Sequence, residues 1–260
     1  MKIVVAIKQV PERDVPMRIG ASGRWIDEDG LQFAMNEPDA YALEHALALR
    51  QKHGGEVVVL SAGPERAAAT LREALAKGAD RAIHVLSGKL DECDALGVAR
   101  LLAAAIEPEQ PDMVLCGLQS EDLGYGQTGV LLAELLDLPH ASLVLEIEMT
   151  DGGARVKLEL EEGWMQMVEL PLPAVLAVQS GGVPLSYATL MGIKRARTKE
   201  LRTVAAADLV TQTGMDLTPV VTLESIALPR KTRSTELLGG TPREAAAALV
   251  EKLRNEAHAL

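Results

Sequence analysis

The sequence predicts an α/β fold: a doubly wound, mostly parallel sheet, an antiparallel extension on that sheet, and a C-terminal arm. Three observations carry this. From Lys2 to Asp137, short apolar runs rich in β-branched residues alternate strictly with stretches apolar at helical spacing. That is the pattern of a parallel sheet with right-handed crossovers and helices on both faces. After Pro139 the pattern turns to period-two alternation around Asp151-Gly152-Gly153, a hairpin signal. Beyond residue 200 regular patterning weakens until a strongly signalled helix near the end. The expected division is residues 1–200 as the α/β domain and 201–260 as the arm.

Taken in order, Lys2 to Ile7 reads as the first strand, with Pro11 closing its ladder. Residues 12–35 are polar and turn-rich, which predicts a small hairpin. Asn36, followed by Glu37-Pro38-Asp39, combines an N-cap residue, a first-turn proline and first-turn acids, so a helix should run to about His53 and stop at Gly54-Gly55. Glu56 to Leu60 is the next strand; Ser61-Ala62-Gly63-Pro64 turns into a helix from about Glu65 to Lys77. Arg81 to Leu86 is a third strand, and residues 92–106 form a helix with one apolar face. Met113 to Cys116 is a strand buried on both faces. Residues 141–149 and 154–162 alternate as a hairpin, and Pro171 to Val178 supplies a further strand of the extension. Tyr187 to Lys199 holds a short basic helix. Thr241-Pro242-Arg243-Glu244 is a complete capping box, opening a helix to about Ala257. Its apolar side needs cover, from its own domain or from a partner subunit.

Composition narrows the function classes. A formal net charge of -11 argues against a general nucleic-acid binder. Aromatics are only 2% of the chain, so the core is aliphatic and little is left for stacking on a base or a flavin ring. Any flat cofactor then needs help from another chain. Cys93 and Cys116 have no metal or CxxC spacing and read as buried, reduced thiols. Nothing in MKIVVAIKQVPERD resembles a secretory signal and no run approaches a membrane span, which predicts a soluble, cytoplasmic protein without direct membrane insertion. His45, His53, His84 and His140 are scattered and read as structural or surface residues, and no nucleophile or acid–base constellation is evident.

The chemistry concentrates between Pro111 and Gly129, in PDMVLCGLQSEDLGYGQTG. A strand, a glycine-bearing loop and a helix in that order can hold a phosphate: glycines admit the ligand to the backbone, and the free N–H groups of the helix start favour an anion. The spacing is neither a Walker A loop nor a GxGxxG turn. A βα turn needing glycine for steric reasons alone would read the same way. Three turn-rich loops, at residues 6–11, 61–64 and 117–128, fall beyond the carboxyl ends of strands, where open α/β sheets bind ligands.

These stretches together resemble the beta subunit of electron transfer flavoprotein. The pieces that carry the resemblance are VAIKQVPE, MNEPDAYALEHAL, LSAGPERAAATLREALAKGADRAIHV, GLQSEDLGYGQTG and LPAVLAVQSGGVPLSYATLMGIKRAR, in order over most of the chain. The resemblance implies an adenine-nucleotide-binding, Rossmann-like fold. It implies a heterodimer with an alpha subunit that holds most of a redox FAD, and one AMP within the beta subunit, with a structural role. It further implies flavin dehydrogenases as electron donors, acyl-CoA dehydrogenases of fatty acid oxidation among them, and a membrane quinone oxidoreductase as acceptor. The family's nucleotide contacts carry over to Ala6, to Asn36, Glu37, Pro38 and Asp39, to Ala62, and to Gly117, Leu118, Gln119, Ser120, Glu121, Asp122, Leu123, Gly124, Tyr125, Gly126, Gln127 and Thr128. Gln127-Thr128-Gly129 looks like the AMP-type members; the Gln-Val-Gly-Pro ending of electron-bifurcating members, which carry a second FAD instead, is absent. Leu123, Gly124 and Gly126 depart from the residues common in AMP-type members. Residues 183–199 match the family's recognition loop for partner dehydrogenases: Leu190 would be its anchor, with Tyr187, Met191 and Ile193 beside it and Lys194 and Arg195 facing acidic ground on the partner. Here Met191-Gly192 replaces the family's Pro-Asn.

The resemblance makes this chain an electron-carrier subunit rather than an enzyme. Within the family, an electron-bifurcating subunit with a second FAD in place of AMP is the alternative, and two readings from other classes stand beside it. An adenine-nucleotide hydrolase on a similar fold would need an SGGxDS-type loop after the first strand, where Lys8-Gln9-Val10-Pro11 stands. A plain adenine-nucleotide-binding protein would leave the recognition loop and the arm unexplained.

Overall fold

The computed structural model describes residues 1–88, 90, 93–229 and 235–259. A nine-stranded sheet forms its centre. The strands are β1 (Lys2–Ala6), β4 (Glu56–Gly63), β5 (Arg81–Leu86), β6 (Met113–Gly117), β7 (His140–Thr150), β8 (Gly153–Glu159), β9 (Met165–Leu170), β10 (Ala174–Val178) and β11 (Leu201–Ala205), in the order β11-β5-β4-β1-β6-β10-β7-β8-β9. From β11 to β7 every pairing is parallel, and only β7-β8-β9 is antiparallel. The central strands β6 and β10 carry no charged residue and β1 only Lys2 at its start, because both of their faces are covered. Helices α1 (Glu37–His53) and α2 (Ala67–Lys77) cover one face. The other carries α3 (Ala95–Ile106), α4 (Thr128–Leu136) and α6 (Ala206–Thr213). The remaining helices, α5 (Leu190–Ala196) and α7 (Pro242–Asn255), lie outside these layers.

The doubly wound, mostly parallel architecture agrees with the sequence, and several placements differ. Residues 174–178 are not part of the antiparallel extension: β10 lies parallel between β6 and β7, with all five residues buried. Its continuous apolar run is the mark of a strand covered on both faces. The strand of the extension that the sequence did not suggest is β9, whose alternation is masked by outward-facing Met165 and Met167. Pro11 does not close the ladder of β1, whose pairings stop at Ala6. It ends a short ribbon in which β2 (Gln9–Pro11) pairs antiparallel with β3 (Phe33–Met35). The expected hairpin nearby is a single bridge, Ile19 to Ile26.

Residues beyond 200 are more regular than expected, since β11 forms the sheet edge beside β5 and α6 buries Ala206 and Leu209. Helix α3 begins at Ala95 with Asp94 as its cap, so Cys93 precedes the helix and is half-buried; Glu92, the expected start, lies outside the described residues. Helix α7 has its capping box, with Thr241 and Glu244 each bonded to the other's backbone N–H, yet none of its residues is buried.

Candidate nucleotide site and docking helix

The chain leaves β1 toward β4 and β5 on one side, then returns through α3 to β6 on the other side of β1. The topological switch point therefore lies between β1 and β6. The two strands pair up to Ala6 and Cys116 and then part: the Ile7 N–H donates to Leu60 O of β4, and the Leu118 N–H donates to Val178 O of β10. A crevice opens between their ends, where open α/β sheets place ligands.

The first turn of α1 fills the head of this crevice. Asp39, 5% exposed, accepts the Lys8 N–H at Oδ2 and the Gly117 N–H at Oδ1, both at 2.7 Å. Gly117 has to be glycine, since a Cβ would stand less than 3.0 Å from Asp39 Oδ1 and from Pro38. Burial pushes the Asp39 carboxyl up to about 7, against the pull of the two N–H donors and of Lys8. Burial, and then the charge of Asp39, raise the Cys116 thiol to about 12, so this cysteine is a packing residue and no nucleophile.

Asn36 does not cap α1, contrary to the local signal. Its Nδ2 donates to Gln119 O and its Oδ1 accepts the Glu121 N–H, each at 3.0 Å. A single side-chain amide thus pins the loop at two backbone atoms.

The rest of the loop is tied from the β1 exit. Lys8 Nζ reaches Asp122 Oδ1 at 2.7 Å and Ser120 Oγ at 3.4 Å. Burial of Asp122 opposes its ionisation, but the Lys8 charge, the bonds from Lys8 and Ser120 and the Leu123 N–H outweigh it, leaving the carboxyl below its ordinary range. Arg13 bonds Glu121 and pairs with Glu37 at 2.8 Å. Gly124 and Gly126 take φ of 65° and 62°, a left-handed conformation that favours glycine. The loop ends at α4, whose start has no side-chain cap and whose first N–H groups have no acceptor within the helix. Gly129 lets this helix approach the sheet, since a Cβ would meet Cys116 Sγ at 2.9 Å.

The structure therefore brings together Ala6, Asn36, Glu37, Pro38, Asp39 and residues 117–128 at the carboxyl ends of β1 and β6, with Ala62 near the end of the neighbouring β4. Leu123 and Tyr125 point outward. Sequence reasoning placed Lys8 and Gln9 in a ligand-facing loop without giving either a role, and passed over Arg13 and Arg66. Gln9 is bonded to Arg66 and Thr70 at the start of α2, and the Arg66 guanidinium lies 3.8 Å over the Phe33 ring. For Lys8 and Gln9 the available signal was their position directly after the first buried strand, at its ligand-facing end. Among the described residues, no group of three or more His, Cys, Asp and Glu side chains could hold a metal ion.

The second cluster lies at the other end of α2. Tyr187 is 93% and Leu190 87% exposed; Met191, Ile193, Lys194 and Arg195 are exposed as well. The Thr189 hydroxyl caps α5 by accepting the Gly192 N–H at 3.0 Å. Gly192 permits α5 to lie on α2, because a Cβ would stand less than 3.0 Å from the Ala76 carbonyl oxygen. Arg72 donates to Ala196 O and Lys199 O, and the Lys199 ammonium donates to Leu75 O and Ala79 O at the end of α2. The helix is thus held from behind while its apolar residues face solvent. Among the described residues, no helix is long and apolar enough to cross a membrane.

A family model described as the electron transfer flavoprotein domain matches residues 24–209, more than half of the chain. The electron transfer flavoprotein subunit beta of Methylophilus methylotrophus is 38% identical over 96% of this chain and 97% of its own. The protein of the same name from Bacillus subtilis is 34% identical over 89% and 90%, and the mitochondrial subunit beta of Oryza sativa subsp. japonica is 34% identical over the full length of both. With both the family domain and near-complete relatives matched, the chain belongs to the electron transfer flavoprotein family, among its beta subunits.

Proposed function

We propose that this chain is the beta subunit of a heterodimeric electron carrier, in which it binds AMP structurally and helps an alpha subunit hold a redox FAD. The flavin supplies the electron chemistry when bound; the residues of this chain bind, orient and dock. The observation that carries the reading is the loop of residues 117–128, pinned by Asn36, Asp39 and Lys8 beside the switch-point crevice and ending at the uncapped start of α4. The residues fit AMP. Backbone at Ala6 and Ala62 can meet the adenine edge, Gly117 leaves room, and Gln127, Thr128 and the first α4 N–H groups can receive the phosphate. No aromatic ring other than the exposed Tyr125 belongs to the loop, which agrees with a flavin ring seated mainly on another chain.

The exposed face of α5 fits transient docking of a donor dehydrogenase, with Leu190 as anchor and Lys194 and Arg195 steering the approach. Helix α7, none of whose residues is buried, fits packing on the alpha subunit. The quinone oxidoreductase and the cytoplasm belong to the same reading as acceptor and compartment. The test is to co-express the chain with its genomic neighbour, denature the purified complex, and count the released nucleotides. One FAD and one AMP per complex support the reading. Two FAD and no AMP replace it with an electron-bifurcating subunit, and a chain with neither flavin nor partner overturns it.

A further inference from the structure

The crevice between β1 and β6 is the place where an α/β sheet of this order offers backbone amides to a ligand anion. Here the two amides at its head, those of Lys8 and Gly117, already have an anion, the Asp39 carboxylate from α1. The donors are 31 and 78 residues away along the chain, so the carboxylate bridges the exits of β1 and β6, which no longer pair with each other beyond Ala6 and Cys116, to the first turn of α1. Each donor lies next to a residue that governs the loop: Lys8 carries the ammonium that binds Asp122 and Ser120, and Gly117 opens the loop itself. Asn36, one helical turn back, completes the hold at Gln119 and Glu121.

We propose that Asp39, which the resemblance would make a nucleotide contact, is instead a resident anion of the switch-point crevice, a positioning residue whose carboxylate holds the β1 and β6 exits in the nucleotide-binding conformation without touching the nucleotide. This rests on the AMP reading above. Its consequences are specific. The nucleotide phosphate is directed to the α4 start, because the crevice amides are taken. Nucleotide affinity also depends on the ionisation of Asp39. The charged and titratable groups around it are Lys8 from the β1 exit, Cys116 from β6, Glu37 on its own helix, and Asp122 and Glu121 from the loop, the last bonded to Arg13. Burial pushes Asp39 up to about 7, while Asp122 stays ionised and Cys116 neutral. A carboxylate accepts both N–H groups with lone pairs to spare, whereas the acid form turns one oxygen into a donor and weakens the tie. The tie is therefore present above about pH 7 and released below it.

The experiment measures AMP affinity by calorimetry on the FAD-bearing complex stripped of AMP, for wild type and Asp39→Asn, at about pH 6 and about pH 8. The AMP phosphate titrates near 6 by itself, so the quantity read is the ratio of the two affinities. A group with pKa near 7 is about one-eleventh ionised at the lower pH and ten-elevenths at the higher. The advantage of wild type should accordingly grow about tenfold between them while FAD content is unchanged. An advantage that is absent, or constant with pH, overturns the proposal. Hydrogen exchange at the Lys8 and Gly117 amides separates this from failure of the AMP reading. In a complex that binds no AMP, faster exchange in Asp39→Asn still supports the tie, and equal exchange removes it. If the variant does not assemble, wild-type protection at these two amides, corrected for intrinsic rates, must fall from about pH 8 to about pH 6; constant protection overturns the proposal.

Discussion

Leu190→Ala separates docking from folding with little ambiguity. The side chain opens α5 and is 87% exposed, so truncating it removes almost no buried area from this chain. The Thr189 cap, in which the Gly192 N–H donates to the Thr189 hydroxyl, stays intact. Substitutions at such positions change stability by no more than about 0.5 kcal/mol. If the leucine enters a pocket on a donor dehydrogenase, full burial contributes about 1.5–3 kcal/mol to the complex. That corresponds to a loss of roughly tenfold to a hundredfold in affinity. The assay is stopped-flow reduction of the heterodimer's flavin by its physiological dehydrogenase across a range of heterodimer concentrations. The apparent half-saturation concentration should rise by that factor, with nucleotide content, flavin spectrum and melting temperature unchanged. An unaltered concentration dependence would refute the docking role. A parallel loss of melting temperature would instead mean that Leu190 is covered within the heterodimer.

Three further perturbations test other parts of the structure. Gly192→Ala puts a methyl against the Ala76 carbonyl, and overpacking of this kind costs about 1–3 kcal/mol; the expected result is that α5 lifts from α2 and trypsin cuts faster at Lys194, Arg195 and Arg197. Glu109 has a side chain only 10% exposed and pairs with Arg81, Arg202 and Lys2. The bond from Arg81 is the main reason its pKa lies below the ordinary 4.5, so its stabilisation is complete above that value and is lost as pH falls below it. Glu109→Gln should lower stability at neutral pH by about 1–3 kcal/mol and flatten the acid limb of the stability curve, both readable by urea titration. His45 is buried in α1, and desolvation holds its pKa below 6.5, against a backbone bond at Leu145 and the charge of Glu146. The unfolded chain takes up that proton first, so stability declines as pH falls through about 6.5, and His45→Leu should reduce the decline in that window.

Most of the fold was legible because parallel strands covered on both faces are largely apolar runs, and β1, β4 and β5, with the helices α1 and α2 between them, fall within a few residues of where periodicity put them. Sheet order was not legible. Val175 and Leu176 pair with β6 on one side and with β7 on the other, and nothing local to LPAVLAV says that this strand slips between two earlier ones. Arg202 to Val204 was missed for a different reason. An edge strand is exposed on its outer side, and the resulting pattern resembles a loop. At the candidate site the glycines announced the loop, while Lys8 and Arg13 drew no attention because a charge after a strand is ordinary.

The failure at Asn36 is the informative one. Local rules assign an asparagine before a Pro-containing first turn to capping, and Asp39 to the helix dipole. Both side chains are turned to backbone atoms of Lys8, Gly117, Gln119 and Glu121 instead, while Asp94, Thr189 and Thr241 do cap their own helices. Helices α2 and α6 also lack side-chain caps, but Arg66 and Ala205 have nothing suitable to offer. At α1 a good cap is present and is used elsewhere. A helix that forgoes a cap worth about 1 kcal/mol must recover it in the contacts made, and those contacts shape one thing, the loop at the switch point. The conflict between local propensity and tertiary use therefore marks the site independently of its glycines. On the AMP reading proposed above, a chain with so few aromatics would recognise its nucleotide largely through backbone, held in place by two side chains of one helical turn.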